Sequence, residues 1–389
     1  MHILFITFSD INVCSSSNIR NISMIKGLLD LGHDVDIISY RSSNNAVLVD
    51  ESFKNIISEC DVFEITASFS TEKVSSGLLD SKNTSFKRKV YNKLRRIYYS
   101  LEPVDSLRNI AKTVDISTLH LGKYDLMISS SNPYSVHIFA DRIRNMFFDG
   151  KLKWIQYWGD ALYLDTLTRS PIFPFRVKNA ERKLISSCDK VVYTNDVVLK
   201  LQKELFPECS DKMSFVETPY GFDVGDDSPI EYSVGYFGSF SSSVRNIIPL
   251  YSTLKNLSCK SIIIGNGDQI IESTDKVSVL PRASVNEVMK YENRTRILVC
   301  VCNKLSSKGE TGLIPGKVYH YGATTKEVLV VGATPDVKRF LSGYERYYFA
   351  DNDEDSIRTA LLEILGNAPK CCEPIEGTMP IKAAAKFVS

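Results

Sequence analysis

The opening stretch of this chain constrains its fold more than anything that follows. Residues 3–8 form an apolar run broken only by Thr7, the pattern of a strand buried on both faces of a parallel sheet. A polar loop over 9–18 comes next. Ile22, Ile25, Leu28 and Leu29 then recur at helical spacing along one stripe. Gly32 supplies a stop, and a second apolar run starts at Val35. Strand, loop, helix, glycine and strand in this order make a βαβ unit, whose connection forces the two strands to run parallel.

The same alternation returns along the chain. Strands are expected at 125–129, 153–157 and 191–193, with helices at 136–146 and 197–205. Residues 223–230 are polar and turn-rich, with Gly225, Asp226, Asp227 and Pro229. A second series then begins, with strands at 233–237, 261–265, 297–302 and 328–332. Helices are expected at 247–257, 285–291, 316–323 and 355–365. The sequence therefore predicts an α/β protein of two Rossmann-like domains. Residues 1–223 form the first, 224–232 the linker and 233–370 the second. A terminal segment, 371–389, is expected to pack back on the first domain.

Composition removes several classes. With 389 residues and 43% of them apolar, the chain has the material for two buried cores. Forty-seven basic against forty-six acidic side chains give a net charge of +1, so no overall field recruits nucleic acid. The longest apolar runs, 297–302 and 328–331, fall far short of the roughly 18–20 residues that cross a bilayer. The N-terminus lacks the basic region and cleavage site of a leader, and reads as a first strand. Nine cysteines without a CxxC and five histidines without HExxH spacing point to reduced thiols, a cytoplasmic location and no metal site.

One segment departs from the α/β pattern. Between Ser81 and Leu101 stand seven basic residues, Lys82, Lys87, Arg88, Lys89, Lys93, Arg95 and Arg96, and no acid. Phe86, Val90, Leu94, Ile97, Tyr98 and Leu101 share one helix face. A basic amphipathic helix of this kind suits an anionic membrane surface, and equally a solvated surface helix packed on its own domain.

Candidate ligand residues lie in the second domain. No G-x-G-x-x-G follows an early strand, and no GxxxxGK[ST] occurs, which disfavours a dinucleotide dehydrogenase and a P-loop ATPase. Gly265 belongs to a two-glycine turn after a strand. Gly312, Leu313, Ile314, Pro315, Gly316 and Lys317 form a glycine-bounded approach to a helix, where freed N–H groups and the Lys317 ammonium suit an anion. The same stretch also reads as an ordinary strand–helix connection. Gly238 and Ser239 end another strand, with Arg245 just beyond. Two such corners suggest a nucleoside diphosphate held between them.

In order and spacing, these residues resemble bacterial glycosyltransferases of family 4. The resemblance spans Arg20 and Gly32-His33-Asp34-Val35, Thr218-Pro219-Tyr220-Gly221-Phe222-Asp223, Gly235-Tyr236-Phe237-Gly238-Ser239 and Ile314 through Tyr321. It implies the GT-B fold, two Rossmann-like domains facing across a cleft. It also implies transfer of a sugar, with retention and without a metal, from a nucleotide-diphosphate sugar to a hydroxyl acceptor. That sugar donor is a substrate, and no cofactor is expected. Arg245 and Lys317 match the family's basic pair on the diphosphate, Arg282 is a candidate for the base, and Asp160 lies where the family places a catalytic-face residue.

Tyr157 and Trp158 are candidates for stacking on a sugar face. Asn18 and Arg20 are candidates for the acceptor side, in a loop that lacks the family's glycines. The family's Glu-x7-Glu is also missing, with Gly312 and His320 at its two positions. An imidazole offers one acceptor where a carboxylate can take two ribose hydroxyls. His320 is thus read either as a ribose contact or as a packed aromatic.

The expected activity is a cytoplasmic glycosyltransferase. It would serve a glycan or lipid-linked acceptor of surface polysaccharide at the inner face of the membrane. A nucleotide-sugar epimerase of the same fold and a non-catalytic partner subunit remain as alternatives.

Overall fold

The computed structural model describes residues 1–41, 49–66, 102–165, 173–222, 228–242, 244–304 and 312–389. The basic segment 82–101 lies outside the described residues, as does part of the 224–232 linker. Two compact units are present, Met1–Val216 together with Ala384–Ser389, and Glu217–Ala383.

The first unit is built on seven strands, β1 (His2–Thr7), β2 (Asp34–Arg41), β3 (Val62–Thr66), β4 (Leu126–Ser130), β5 (Lys153–Trp158), β6 (Lys190–Tyr193) and β7 (Met213–Phe215). They pair in parallel in the order β3-β2-β1-β4-β5-β6-β7. Central β1 has Ile3, Leu4, Phe5 and Ile6 all fully buried, which is why its sequence is apolar without alternation.

The first crossover helix, Ser16–Asp30, is capped by Ser15, whose hydroxyl accepts from the Asn18 N–H at 3.1 Å. It is followed by Gly32 at φ +78°, a left-handed position that favours glycine. In the core, Trp154 donates its indole N–H to Ser129 Oγ at 2.8 Å, and His137 stacks on Trp158 with centroids 4.6 Å apart. Within Ala384–Ser389, Phe387 meets the Tyr157 ring edge-on at 5.0 Å, and its carbonyl accepts from Lys190 Nζ at 3.1 Å.

The second unit has six parallel strands, β8 (Tyr232–Phe237), β9 (Ser261–Ile264), β10 (Val277–Leu280), β11 (Thr295–Val301), β12 (Glu327–Val331) and β13 (Tyr347–Ala350). Their order is β10-β9-β8-β11-β12-β13. This repeats the winding of the first six strands. Each sheet grows outward to one side of its first strand, then returns to the other side of it. The order reverses between β1 and β4, and again between β8 and β11. Sheets of this winding take ligands at such a reversal, at the carboxyl ends of the strands.

Candidate functional site

The reversal point of the second sheet gathers the basic residue expected from the first corner. Arg245 follows β8 and Asn303 follows β11, and the two meet. The guanidinium donates from Nε and Nη2 to Asn303 Oδ1, at 3.0 and 2.6 Å. Fixing two donors of the fork sets the plane of a half-buried guanidinium, which also faces the Tyr236 hydroxyl and is placed to meet an anion.

The turn that carries Arg245 is itself pinned. Gln269 donates to the carbonyls of Phe240 and Arg245, both at 2.7 Å, and accepts from the Ile247 N–H at 2.9 Å. Asp268 accepts from the N–H and hydroxyl of Ser242, each at 2.6 Å, and those bonds hold its carboxyl below the usual range. Gly265 is required by close approach, because a Cβ there would overlap the Gly238 carbonyl oxygen. Tyr236 Oη donates to the Ser239 carbonyl at 2.6 Å, closing the turn after β8.

The second corner opens a short helix. Pro315 occupies the cap position and Gly316 opens a helix of only seven residues, Gly316–Gly322. Gly312 stands at φ +67°, its N–H donating to Asp336 Oδ2 at 3.1 Å. Leu313, Ile314 and Pro315 are half-buried and Gly316 is exposed. Arg282 is exposed just beyond β10.

Lys317 is paired. Its Nζ lies 3.1 Å from Oε1 of Glu292, a residue of the helix Val285–Asn293. It also lies 3.2 Å from His320 Nδ1 and 5.2 Å from the Tyr321 ring centroid. His320 Nε2 is 2.9 Å from Glu292 Oε2, and the Tyr220 ring stacks on the imidazole at 3.7 Å. Both ring nitrogens of His320 thus face groups of the protein itself. Burial alone would raise the Glu292 carboxyl, but His320 and Lys317 together outweigh it and hold it at about 2. Burial likewise pushes the His320 imidazole below its ordinary value, with Glu292 opposing and Lys317 reinforcing the shift.

The reversal point of the first sheet holds a second polar group. Arg20 projects from the first crossover helix, 7% exposed, with its guanidinium over the Tyr157 ring at 4.8 Å. It donates to Ser130 Oγ at 3.2 Å and to the Ser131 carbonyl at the end of β4. Burial lowers its affinity for the proton, while Tyr157 and Asp160 act in the opposite sense.

Asp160 follows β5 and accepts from Asn132 Nδ2 at 3.2 Å. Its carboxyl is raised by burial and by Asp165, against the pull of Arg20 and Asn132. Asp165 in turn accepts from Tyr134 Oη at 3.1 Å. Asn18 is fully buried, and its amide donates to the carbonyls of Asp10 and Val13 at 2.7 and 2.8 Å, so it holds its loop together. Tyr157 and Trp158 are fully buried in the core.

The sequence reading missed Glu292, Asn303, Asn132 and Asp165. Asn303 and Asn132 become visible once the strand order places the ends of β11 and β4 at the reversal points. Glu292 lies in an ordinary Glu- and Lys-bearing helix and gives no signal in sequence.

No known family model matches the sequence, and no curated protein matches it. Solved structures do. Sucrose-phosphate synthase from Thermosynechococcus elongatus is 12% identical with a TM-score of 0.57, over 100% of this chain and 94% of that one. The Anabaena protein HepE, solved with UDP and glucose, is 12% identical with a TM-score of 0.54, over 99% and 94%. AviGT4, a glycosyltransferase involved in avilamycin A biosynthesis, is 9% identical with a TM-score of 0.52, over 100% and 96%. The fold is the GT-B fold. At such identities the likeness carries architecture, and the chemistry has to be argued from this chain's own side chains.

Proposed function

We propose that the chain is a retaining glycosyltransferase that binds a nucleotide-diphosphate sugar on its second unit, with the diphosphate at Arg245 and Lys317. The observation that carries this reading is the Arg245–Asn303 pair at the reversal point of the second sheet. A guanidinium held there by a neutral amide keeps its full charge for a ligand. As the glycosidic bond breaks, negative charge grows on the leaving diphosphate, and a preorganised cation stabilises it more than it stabilises the bound donor. HepE was solved with UDP and glucose, which agrees with this choice of ligand. On the first unit, Asp160 is assigned to the acceptor hydroxyl or the transferred sugar. Its raised carboxyl and the neighbouring Arg20 suit a polyol partner.

The test is ligand-dependent melting of the purified protein with UDP, GDP, CDP, dTDP and NAD, alongside Lys317→Ala and Arg245→Ala. A ligand at about 100 times its Kd adds about 2.7 kcal/mol. That gives several degrees, at roughly 2–4 °C per kcal/mol. One nucleoside diphosphate is expected to raise Tm, and each variant to lose the shift. Silence from every nucleotide with folded protein would refute this reading and favour a non-catalytic partner subunit.

A lipid-borne acceptor at the membrane, in surface polysaccharide synthesis, is the further part of the proposal. No helix among the described residues is long and apolar enough to cross a bilayer. Support comes from Phe173 and Phe175, 42% and 62% exposed with ring centroids 6.0 Å apart and Arg176 beside them. They open the helix Pro174–Ser186, which connects β5 to β6 and starts at the end of the sheet that carries Asp160. Aromatic rings next to a cation suit the headgroup layer of an anionic bilayer. Co-sedimentation with anionic vesicles is expected, and Phe173→Ser/Phe175→Ser should weaken it. Equal sedimentation of both proteins would remove this face from the proposal.

A further inference from the structure

We infer that Glu292 is a positioning residue that couples donor binding to uptake of a proton by His320, an inference that rests on the donor site proposed above. In the ligand-free protein one carboxylate serves two partners. Glu292, 2% exposed, has the Lys317 ammonium 3.1 Å from one oxygen and the His320 imidazole 2.9 Å from the other. The ammonium also donates toward His320 Nδ1 at 3.2 Å. That bond needs an unprotonated Nδ1, so the imidazole is neutral and carries its hydrogen on Nε2, facing Glu292. The Nε2 approach is misaligned for a hydrogen bond, leaving two fully buried polar atoms poorly paired.

A diphosphate that engages Lys317 draws the ammonium away from both contacts. Glu292 would then be a buried carboxylate facing only a neutral ring, a costly arrangement. The departure of Lys317 also frees Nδ1. A proton taken from solvent onto Nδ1 makes His320 an imidazolium, and Glu292 regains a cation without moving. One ion pair, Lys317–Glu292, is exchanged for two, Lys317–diphosphate and His320–Glu292. One proton enters, and no covalent bond to the ligand changes.

The groups facing His320 are Glu292 from the helix Val285–Asn293, Lys317 and Tyr321 from its own helix, and Tyr220 stacked on its ring. Of these, only Glu292 and Lys317 are charged. Burial and the Lys317 ammonium depress the imidazole in the free protein, and both the loss of Lys317 and the incoming anion raise it in the complex. Affinity is therefore greatest at low pH and falls as pH rises through the raised value of the complex.

The experiment is calorimetric titration of UDP-glucose into the whole protein in two buffers of different ionisation enthalpy. Its diphosphate diester does not titrate between about pH 6 and 9, so proton uptake belongs to the protein. Uptake approaching one proton per ligand is expected between the depressed value of the free protein and the raised value of the complex, with affinity falling there by up to about tenfold per pH unit. Glu292→Gln leaves no anion stranded and should bind without uptake. His320→Gln should lose uptake and bind more weakly. UDP-glucose binding with no buffer dependence and a flat pH profile in the native protein overturns the coupling while leaving the donor site standing. Failure of the native protein to bind any nucleotide overturns both. The native protein's own buffer dependence decides the matter even where a variant fails to fold.

Discussion

Arg245→Ala is expected to lower kcat/KM for donor turnover by about 10²- to 10³-fold, the usual cost of deleting one preorganised charge stabiliser. The measurement is the rate of nucleoside diphosphate release from the donor. The geometry also predicts what a conservative exchange does. Arg245 reaches Asn303 Oδ1 from Nε and Nη2 at once, so its plane is fixed before any ligand arrives. A lysine cannot make that paired contact and keep a further donor edge for phosphate. Arg245→Lys should therefore fall close to Arg245→Ala. Asn303→Ala, which leaves the guanidinium present but untethered, should lose only about tenfold, mainly in kcat, as positioning is weakened rather than charge removed. If Arg245→Lys retains native turnover, a point charge is enough and the tethered fork is irrelevant.

The doubly wound class could be read from the sequence because its signal is local. Runs such as 3–8 and 297–302 are buried on both faces, so every position but Thr7 is apolar and the strand stands out. Strands toward the sheet edges were missed. β3 carries Glu64 and β7 has three residues, so neither presents an unbroken apolar run. The helix Pro174–Ser186 was missed because charged residues break up its stripe, and buried Glu181 spends its carboxylate on the N–H groups of Leu162 and Tyr163.

At the site, Arg245 and Lys317 were visible as basic residues beside glycine turns. Their partners were not. Asn303 lies 58 residues from Arg245, and Glu292 lies 25 from Lys317. Only the strand order brings the ends of β8 and β11 together, and no spacing in the sequence encodes that. His320 shows the same limit: its residue type allowed a ribose contact or a packed aromatic, and spacing gave no sign that its ring nitrogens face Glu292 and Lys317.

Removing both partners of Glu292, the Lys317 ammonium and the His320 imidazole, should damage the fold more than removing Glu292 itself. Lys317→Met/His320→Phe keeps the volume and the ring that stacks on Tyr220, but strands a carboxylate that is 2% exposed. Loss of a buried partner of this kind costs about 3–5 kcal/mol. That is a fall in Tm on the order of 10 °C, at roughly 2–4 °C per kcal/mol. Adding Glu292→Gln removes the charge and should recover most of the loss, so the triple variant is more stable than the double.

The pH dependence gives an independent check, because the sign reverses. In the native protein the Glu292 carboxyl sits at about 2 against an ordinary 4.5. Its contribution is therefore present above the unfolded value and is lost as pH falls from there toward the folded one. In the double variant, burial without a partner raises the same carboxyl, so its contribution is present at low pH and is lost as pH rises past the unfolded value. Melting curves across the acid range should show the two proteins converging as pH falls. Parallel curves, or a triple variant no more stable than the double, would mean that Glu292 is not the charge that Lys317 and His320 hold in place.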